Sequence, residues 1–395
     1  MLRHQNFRSP LVVECMIYLA IAAPLGIYGA AWPVSQQQFD RDSGSLGLLV
    51  LAYGLGRLST SATALPLLRR VNMRVANTGL CVLFVVADLV AAFGRNFFGL
   101  VACFAMIGLL TGSLDSLGAR FQSLIRNVGS SGLMFGCYGL GAALGPAVSG
   151  LFSWTTGFVV AAGLALIAAI LASNHRVDWP HGLLETRENA PGLVAKVPLW
   201  PLAISLVTVS LVCALEATTA TWAATYLEDG RGAKALLSSL AVSGLWLGIT
   251  LGRLLLGRVP WPSQKILVIS GFSAAITVGL IPILPVNLAC GAFVFLGVAI
   301  AGLFPTLVST TATRVGTDAA GRVSGWQLLA ANLAATSLAA LLGLLVVISG
   351  AQIIIYVMIS IALCSLVALV FCARIHVAEH SQNGELSITQ PERAP

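Results

Sequence analysis

Apolar runs of 19 to 29 residues recur between residues 11 and 374, separated by short polar segments. An α-helix rises about 1.5 Å per residue, so about 20 apolar residues cover the roughly 30 Å of hydrocarbon in a membrane. In hydrocarbon the backbone N–H and C=O groups must bond within their own segment, and a single helix achieves this. Each run is therefore predicted to form a membrane-spanning helix.

Twelve such runs are present, and we number them as spans 1 to 12. The first is longer than the roughly 7 to 15 apolar residues of a cleavable signal peptide and leads into further apolar runs, so it is expected to remain as span 1. The predicted spans cover residues 11 to 35, 45 to 68, 75 to 93, 97 to 122, 131 to 153, 156 to 174, 199 to 227, 236 to 257, 266 to 284, 288 to 313, 323 to 348 and 352 to 374.

The composition excludes a soluble fold. Hydrophobic residues make up 57% of the chain and charged residues 9%, against about 45 to 50% and about 25% in soluble domains. The predicted fold class is an all-α integral membrane protein with twelve transmembrane helices.

The basic residues outside the deep parts of the spans predict the orientation, because cytoplasmic loops collect Lys and Arg. With both termini in the cytoplasm, only four basic residues lie outside: Arg41, Arg95, Arg231 and Lys234. Sixteen lie inside: Arg3, Arg8, Arg69, Arg70, Arg74, Arg120, Arg126, Arg176, Arg187, Lys196, Arg258, Lys265, Arg314, Arg322, Arg374 and Arg393. The chain is thus predicted to cross the cytoplasmic (inner) membrane many times with both termini inside. Its net charge of +7 then reports topology and requires no nucleic-acid partner.

The longest polar segment between spans, residues 175 to 196, divides the spans six and six. The Gly-Arg-Leu sequence at Arg57 in span 2 is repeated at Arg253 in span 8. Two six-helix halves with a solute site between them are typical of one large class of secondary transporters. The predicted organisation is an N-terminal half (1 to 174), a cytoplasmic linker (175 to 198), a C-terminal half (199 to 374) and a cytoplasmic tail (375 to 395).

Ionisable residues deep in a span cost about 2.5 to 3.5 kcal/mol on insertion scales and usually indicate function. Glu216 lies near the middle of span 7 and is followed by Trp222 and Tyr226. A carboxylate combined with aromatic faces suits a polar ligand, so these three residues are predicted to bind solute or couple its movement to an ion. The alternative is that Glu216 pairs with an arginine of a neighbouring helix.

The other deep charges leave alternatives open. Asp115 in span 4 is a candidate proton or cation site, or the partner of Arg57 or Arg120. Arg57 and Arg253 are predicted to hold helix ends together as an inner gate. Asp88 lies nearer the outer end of span 3 and is expected to reach water.

Uncharged residues complete the set of candidates. Gln327 and Asn332 in span 11 are predicted to bond either a solute or a neighbouring helix. Gly145, Pro146 and Pro305 lie within spans, where small residues allow close helix packing and prolines mark bends.

Metal, cofactor and enzyme functions are not predicted. The eight cysteines lie within spans without metal-ligand spacing, the five histidines lie outside the spans, and no Walker-type nucleotide loop is present.

The segment Gly302-Leu-Phe-Pro305-Thr306-Leu, followed by Arg314-Val-Gly316 and Ser324-Gly325-Trp326-Gln327, resembles spans 10 and 11 of the fucose-permease-like bacterial branch of the major facilitator superfamily. Glu216, Trp222 and Tyr226-Leu227 resemble the span 7 pattern of that branch, and Asp115 matches an Asp of its span 4. Ala119 and Phe135 replace an Asn and a His that the branch often carries.

The resemblance implies a monomeric secondary transporter that moves a small polar solute by alternating access, with protons as the coupling ion. The segment Gly141-Ala-Ala-Leu-Gly145-Pro146 is instead similar to a motif of proton-coupled drug exporters. Export of drugs or of a secreted metabolite is therefore the alternative function. A membrane-embedded enzyme and a solute sensor are the remaining alternatives.

We expect cysteines introduced at Ala190 and Ser381, in a variant without native cysteines, to be unreactive toward a membrane-impermeant maleimide in intact cells. Both positions should react after the cells are opened, because the charge bias places the linker and the tail in the cytoplasm. A cysteine at Gln37 in the predicted outer loop is the positive control. Labelling of Ala190→Cys or Ser381→Cys in intact cells would contradict this orientation.

Overall fold

The computed structural model describes residues 8–68, 72–125, 128–179, 199–256 and 259–375. Within these ranges there is no β-strand, and short turns at Gln36–Phe39 (3-10), Ser43–Ser45 (3-10) and Tyr226–Gly230 (π) join or extend the helices. The α-helices are Arg8–Ser35, Leu46–Leu68, Met73–Phe93, Phe97–Ile125, Val128–Leu151, Trp154–Ser173, Leu199–Thr225, Ala235–Leu256, Ser263–Leu280, Val286–Ile300, Leu303–Ser309, Thr311–Val315, Thr317–Ser349 and Ile353–Arg374.

The helices confirm the predicted fold class. Each predicted span contains helix, and eleven helical segments in the described ranges are long and apolar enough to cross a membrane. The helix Leu46–Leu68 forms span 2. Most of the predicted linker and tail, residues 180 to 198 and 376 to 395, lie outside the described residues.

Span 10 is divided into three helical pieces, which is consistent with the bend predicted at Pro305. Proline has no N–H, so the carbonyl four residues earlier, at Ala301, loses its helical hydrogen bond. Ala301 and Gly302 form a turn at this point. Pro146 has no such effect, because the helix Val128–Leu151 runs through it without a break.

Glycines allow the helices within the N-terminal half to touch through their backbones. A side-chain carbon added at Gly141 would collide with the carbonyl oxygen of Leu19, and one at Gly145 with that of Ala23. One at Gly108 would collide with the carbonyl oxygen of Tyr53. In lipid, helices associate through this close packing. Gly145 and the adjacent Pro146 therefore contribute to the contact between spans 1 and 5.

Among the described residues, most contacts between the halves come from three pairs of spans: 2 and 11, 5 and 8, and 1 and 7. We call the side that carries residues 36–45 the outer side, as the charge bias predicts. Near this side Gly44, just before span 2, and Gly47 of span 2 pack against span 11, and Gly150 of span 5 packs against span 8. Gly29 of span 1 packs against the backbone of span 7 at Ala220.

Hydrogen bonds between the halves lie in the same region. Ser43 donates to the carboxylate of Asp229, and Ser243 donates to the carbonyl oxygen of Ala143. The halves are thus in contact on the outer side.

The same helix pairs separate toward the opposite, inner side. Gly139 contacts Thr250, but Gly132, seven residues away on the same face of span 5, has nothing within 4 Å of an added side-chain carbon. Likewise Thr336 contacts Gly54, whereas Gly325, eleven residues away on the same face, has nothing within 4 Å. At about 1.5 Å per residue, these offsets are about 10 and 16 Å. A cleft between the halves therefore opens on the inner side.

We expect Gly141→Val to destabilise the protein by about 1–3 kcal/mol or more, because the added side chain meets backbone atoms of span 1 that cannot move aside. Gly132→Val is the matched control on the same helix, with the same change in propensity and open space around it. Thermal unfolding in detergent would measure both variants. Equal stability of the two would contradict this packing.

Candidate functional site

The structure joins four of the predicted charged residues into two ion pairs. Arg57 Nη2 lies 2.7 Å from Asp115 Oδ2, and Arg253 Nη2 lies 3.8 Å from Glu216 Oε1. All four side chains are 20 to 32% exposed, although they lie within membrane-spanning helices. They therefore border open space as well as packed protein.

Each ion pair lies within one half. Arg57 and Asp115 join spans 2 and 4, while Arg253 and Glu216 join spans 8 and 7. The alternative that Glu216 pairs with an arginine of a neighbouring helix is thus realised, and so is the pairing of Asp115 with Arg57. In this conformation neither ion pair bridges the halves.

Three of these charged residues lie about one helical turn to the inner side of residues at which the two halves are still in contact. Three residues, or about 4.5 Å, separate Gly54 from Arg57 and Thr250 from Arg253. Four residues, or about 6 Å, separate Ala220 from Glu216. The charged groups therefore line the closed end of the cleft.

Cys213 lies near charged groups of both halves. It lies one turn from Glu216 on span 7, close to Arg253 of its own half and to Arg57 of the other half. Arg57 belongs to the other half, so charges from both halves converge beside this residue.

Aromatic residues that the sequence did not identify as site residues surround the ion pairs. The ring of Tyr138 lies 6.3 Å from that of Tyr18 and 6.4 Å from that of Trp246, in edge-to-face geometry. The pair Tyr138–Trp246 crosses between the halves. Tyr53 and Tyr138 interact electrostatically with Arg57. The buried indole N–H of Trp246 has no partner among the described residues.

Trp222 and Tyr226 do not face the cleft, which differs from the predicted role in solute binding. Both are fully buried. Trp222 Nε1 donates to the carbonyl oxygen of Ala339 at 2.8 Å, and the Tyr226 hydroxyl accepts from Arg231 at 3.2 Å. At about 100° per residue, Trp222 is turned by about 120° from Glu216. It therefore faces span 11 and packs the C-terminal half.

Gln327 and Asn332 bond protein groups. Gln327 is buried, and its side-chain oxygen accepts from the Thr311 hydroxyl at 2.8 Å. This bond ties span 11 to the innermost piece of span 10. Asn332 donates to the carbonyl oxygen of Leu328 in its own helix at 2.9 Å. Gln327 thus bonds a neighbouring helix, which was one of its two predicted alternatives, whereas Asn332 bonds its own helix, which is neither.

Three buried charged residues differ from the expectations. Asp88 was expected to reach water, but it is fully buried and neither carboxylate oxygen has a partner among the described residues. Glu14 in span 1 was not identified as a deep charge; it is buried and accepts from Asn77 Nδ2 at 3.0 Å. The sequence feature that could have identified Glu14 is a carboxylate near the start of an apolar run. Arg314 was assigned to a cytoplasmic loop, but it is 2% exposed and donates to Ser205 at 2.9 Å.

We expect Trp222→Phe to lower the free energy of unfolding by about 1 kcal/mol, because it removes a buried interhelical hydrogen bond and keeps an aromatic ring. Trp200→Phe is the control, since Trp200 is 65% exposed. Chemical unfolding in mixed micelles would measure both variants. Unchanged stability of Trp222→Phe together with lost solute transport would instead support the predicted ligand role.

Solved transporter structures share this fold. A mutant of the nucleoside transporter NupG aligns with a TM-score of 0.75 at 13% identity, covering 92% of this chain and all of that chain. A D-xylose–proton symporter aligns with a TM-score of 0.75 at 13% identity over 94% of this chain and 98% of that chain. A bacterial homolog of the human lysosomal transporter Spinster, in an inward-facing and unoccupied conformation, aligns with a TM-score of 0.67 at 13% identity over 94% and 98%.

Sequence comparison also gives a relative and a family. Bypass of stop codon protein 6 of Saccharomyces cerevisiae is 24% identical in an alignment of 211 residues that covers 46% of this chain and 42% of that protein. The match therefore spans less than half of the relative. The family model of the Major Facilitator Superfamily matches residues 15–339. Together with a fold shared with transporters, this match shows that the chain is a multi-pass membrane transporter belonging to the Major Facilitator Superfamily.

Proposed function

We propose that this transporter moves a small polar solute by alternating access and that the solute binds at the closed end of the cleft. The observation that carries the proposal is the convergence of two ion pairs from opposite halves one turn beyond the contacts that close the outer side. Charges inside a membrane protein are costly and typically mark a transport pathway. A site at the junction of the halves becomes accessible from either side when the halves rock.

The chemistry of the cleft favours a neutral or zwitterionic solute. Two guanidinium groups and two carboxylates compensate each other, so the ion pairs add no net charge. Tyr138, which is partly exposed, adds a flat face and a hydroxyl group, which suit ring-shaped molecules with hydroxyl groups. The names of two structural neighbours, a nucleoside transporter and a D-xylose–proton symporter, agree with that class. The resemblance to the fucose-permease-like branch supports a polar solute, but Ala119 and Phe135 replace two polar residues of that branch, which weighs against recognition of a sugar.

Glu216 is the proposed proton-coupling residue, and Asp115 is the second candidate. The Glu216–Arg253 separation of 3.8 Å is longer than the 2.7 Å of Arg57–Asp115, so the Glu216 pair has less direct hydrogen bonding to lose. A proton on Glu216 would neutralise it and release Arg253, and loss of the proton would restore the ion pair. Arg57 and Arg253 then regulate access to the cleft through these pairs.

The distribution of basic residues indicates the side of the membrane toward which the cleft opens. Because the predicted outer side is closed and the cleft opens on the inner side, we propose that this conformation faces the cytoplasm. The 16 to 4 distribution of basic residues supports this assignment. Import and export use the same alternation, so vesicles of both orientations are needed to distinguish them.

We expect Glu216→Gln to abolish accumulation driven by a pH gradient while solute exchange between equal concentrations continues. Glutamine keeps the shape and can bond Arg253, but it cannot carry a proton in and out. The measurement uses proteoliposomes of both orientations with radiolabelled sugars, nucleosides and organic acids. Asp115→Asn is the matched variant, because it removes the carboxylate of the other ion pair.

Three results would refute parts of this mechanism. Accumulation that survives in Glu216→Gln and fails in Asp115→Asn moves the coupling site to Asp115. Accumulation that survives in both variants excludes coupling at either pair. A Glu216→Gln protein that does not insert or fold makes the ion pair structural.

A further inference from the structure

A groove of about 490 Å³ runs along the surface where spans 2 and 11 cross near the outer side. Its walls come from both halves of the protein, with Leu48 on span 2 and Leu341 and Leu344 on span 11. It is separate from the cleft that contains the ion pairs. Nothing in the transport mechanism above uses it.

Glycines form the floor of the groove. A side-chain carbon at Gly47 would collide with the backbone of Ala340 and Gly343, so the two helices touch there without intervening side chains. The leucines at the rim stand above this floor and are largely open to the surroundings: Leu48 is 41% exposed and Leu344 is 60% exposed. The result is a narrow apolar slot that faces the membrane.

The length and polarity of the slot match one leaflet of a bilayer. On span 11 it extends from Ser337 to Val347, and ten residues of helix correspond to about 15 Å. Half of the hydrocarbon thickness is about 15 Å. Asp42 and Ser45 form its outer end, at the level where lipid head groups begin, and leucines and glycines dominate below them.

We propose that this groove binds one acyl chain of a phospholipid from the outer leaflet. A linear chain of methylene groups reaches the glycine floor. The helix of a second copy, about 10–12 Å wide with its side chains, would rest on the leucine rims and leave the floor empty. An empty apolar slot beside hydrocarbon forfeits dispersion contacts that an acyl chain supplies.

Binding at this place has a conformational consequence. Both walls must move apart when the outer side opens, because span 2 belongs to one half and span 11 to the other. A ligand that binds only one conformation shifts the equilibrium toward it. The bound lipid therefore favours the conformation that is closed on the outer side.

Native mass spectrometry of the purified full chain with added palmitoyl-oleoyl phosphatidylcholine tests the proposal. Ser337→Trp fills the inner end of the groove with an indole ring. Ile348→Trp is the matched control, since Ile348 is 71% exposed on the same helix and does not line the groove. We expect the wild type and Ile348→Trp to retain the mass of one phospholipid at an activation energy that strips the remaining lipid, and Ser337→Trp to lose it.

Circular dichroism of each variant checks that the helices are intact. If Ser337→Trp loses helical content, Leu341→Trp places the same ring in the groove from its rim. Equal retention by the groove variant and the control would overturn the proposal, as would no retained lipid in the wild type. A dimer mass that only the groove variant loses would assign the groove to a second copy of the chain.

Discussion

Within each regular stretch of helix, the backbone N–H and C=O groups are bonded inside that helix, and this constraint shapes the contacts between the helices. Because no backbone hydrogen bonds are left to link neighbours, the spans associate by close approach at small residues. Gly141 against Leu19 holds the N-terminal half together, and Gly47 against Gly343 closes the two halves on the outer side. The same type of contact therefore serves both permanent packing and a junction that transport requires to separate.

The charged side chains are placed where this packing ends. Arg57 and Arg253 lie one turn past the last contacts between the halves, and each is compensated by a carboxylate of its own half. Because each ion pair lies within one half, the charges stay compensated whether the two halves are in contact or separated. Because an unpaired charge inside a membrane protein is costly, an arrangement that kept the charges paired only across the halves would oppose their separation.

The sequence predicted the spans and the four charged residues of the two ion pairs, but not which way each helix is rotated. Length and hydrophobicity suffice for spans, because the membrane imposes one thickness on every helix. Glu216 was found because a deep carboxylate is costly wherever it points. Trp222 was expected in the cleft, yet its direction depends on the partner helix, and it faces Ala339 instead. Tyr138 and Trp246 are distant in the sequence and belong to different halves. Their contact therefore cannot be predicted from a local sequence pattern.

Because span 10 is divided into three helical pieces, it does not act as one rigid helix. Its outer piece, Val286–Ile300, packs along span 8, whereas its innermost piece is tied to span 11 by the bond from Thr311 to Gln327. A continuous helix would transmit an axial push from one end to the other. The turns at Ala301 and Thr310 instead absorb it, so the inner end of the C-terminal half can change its tilt while the outer end keeps its register with span 8.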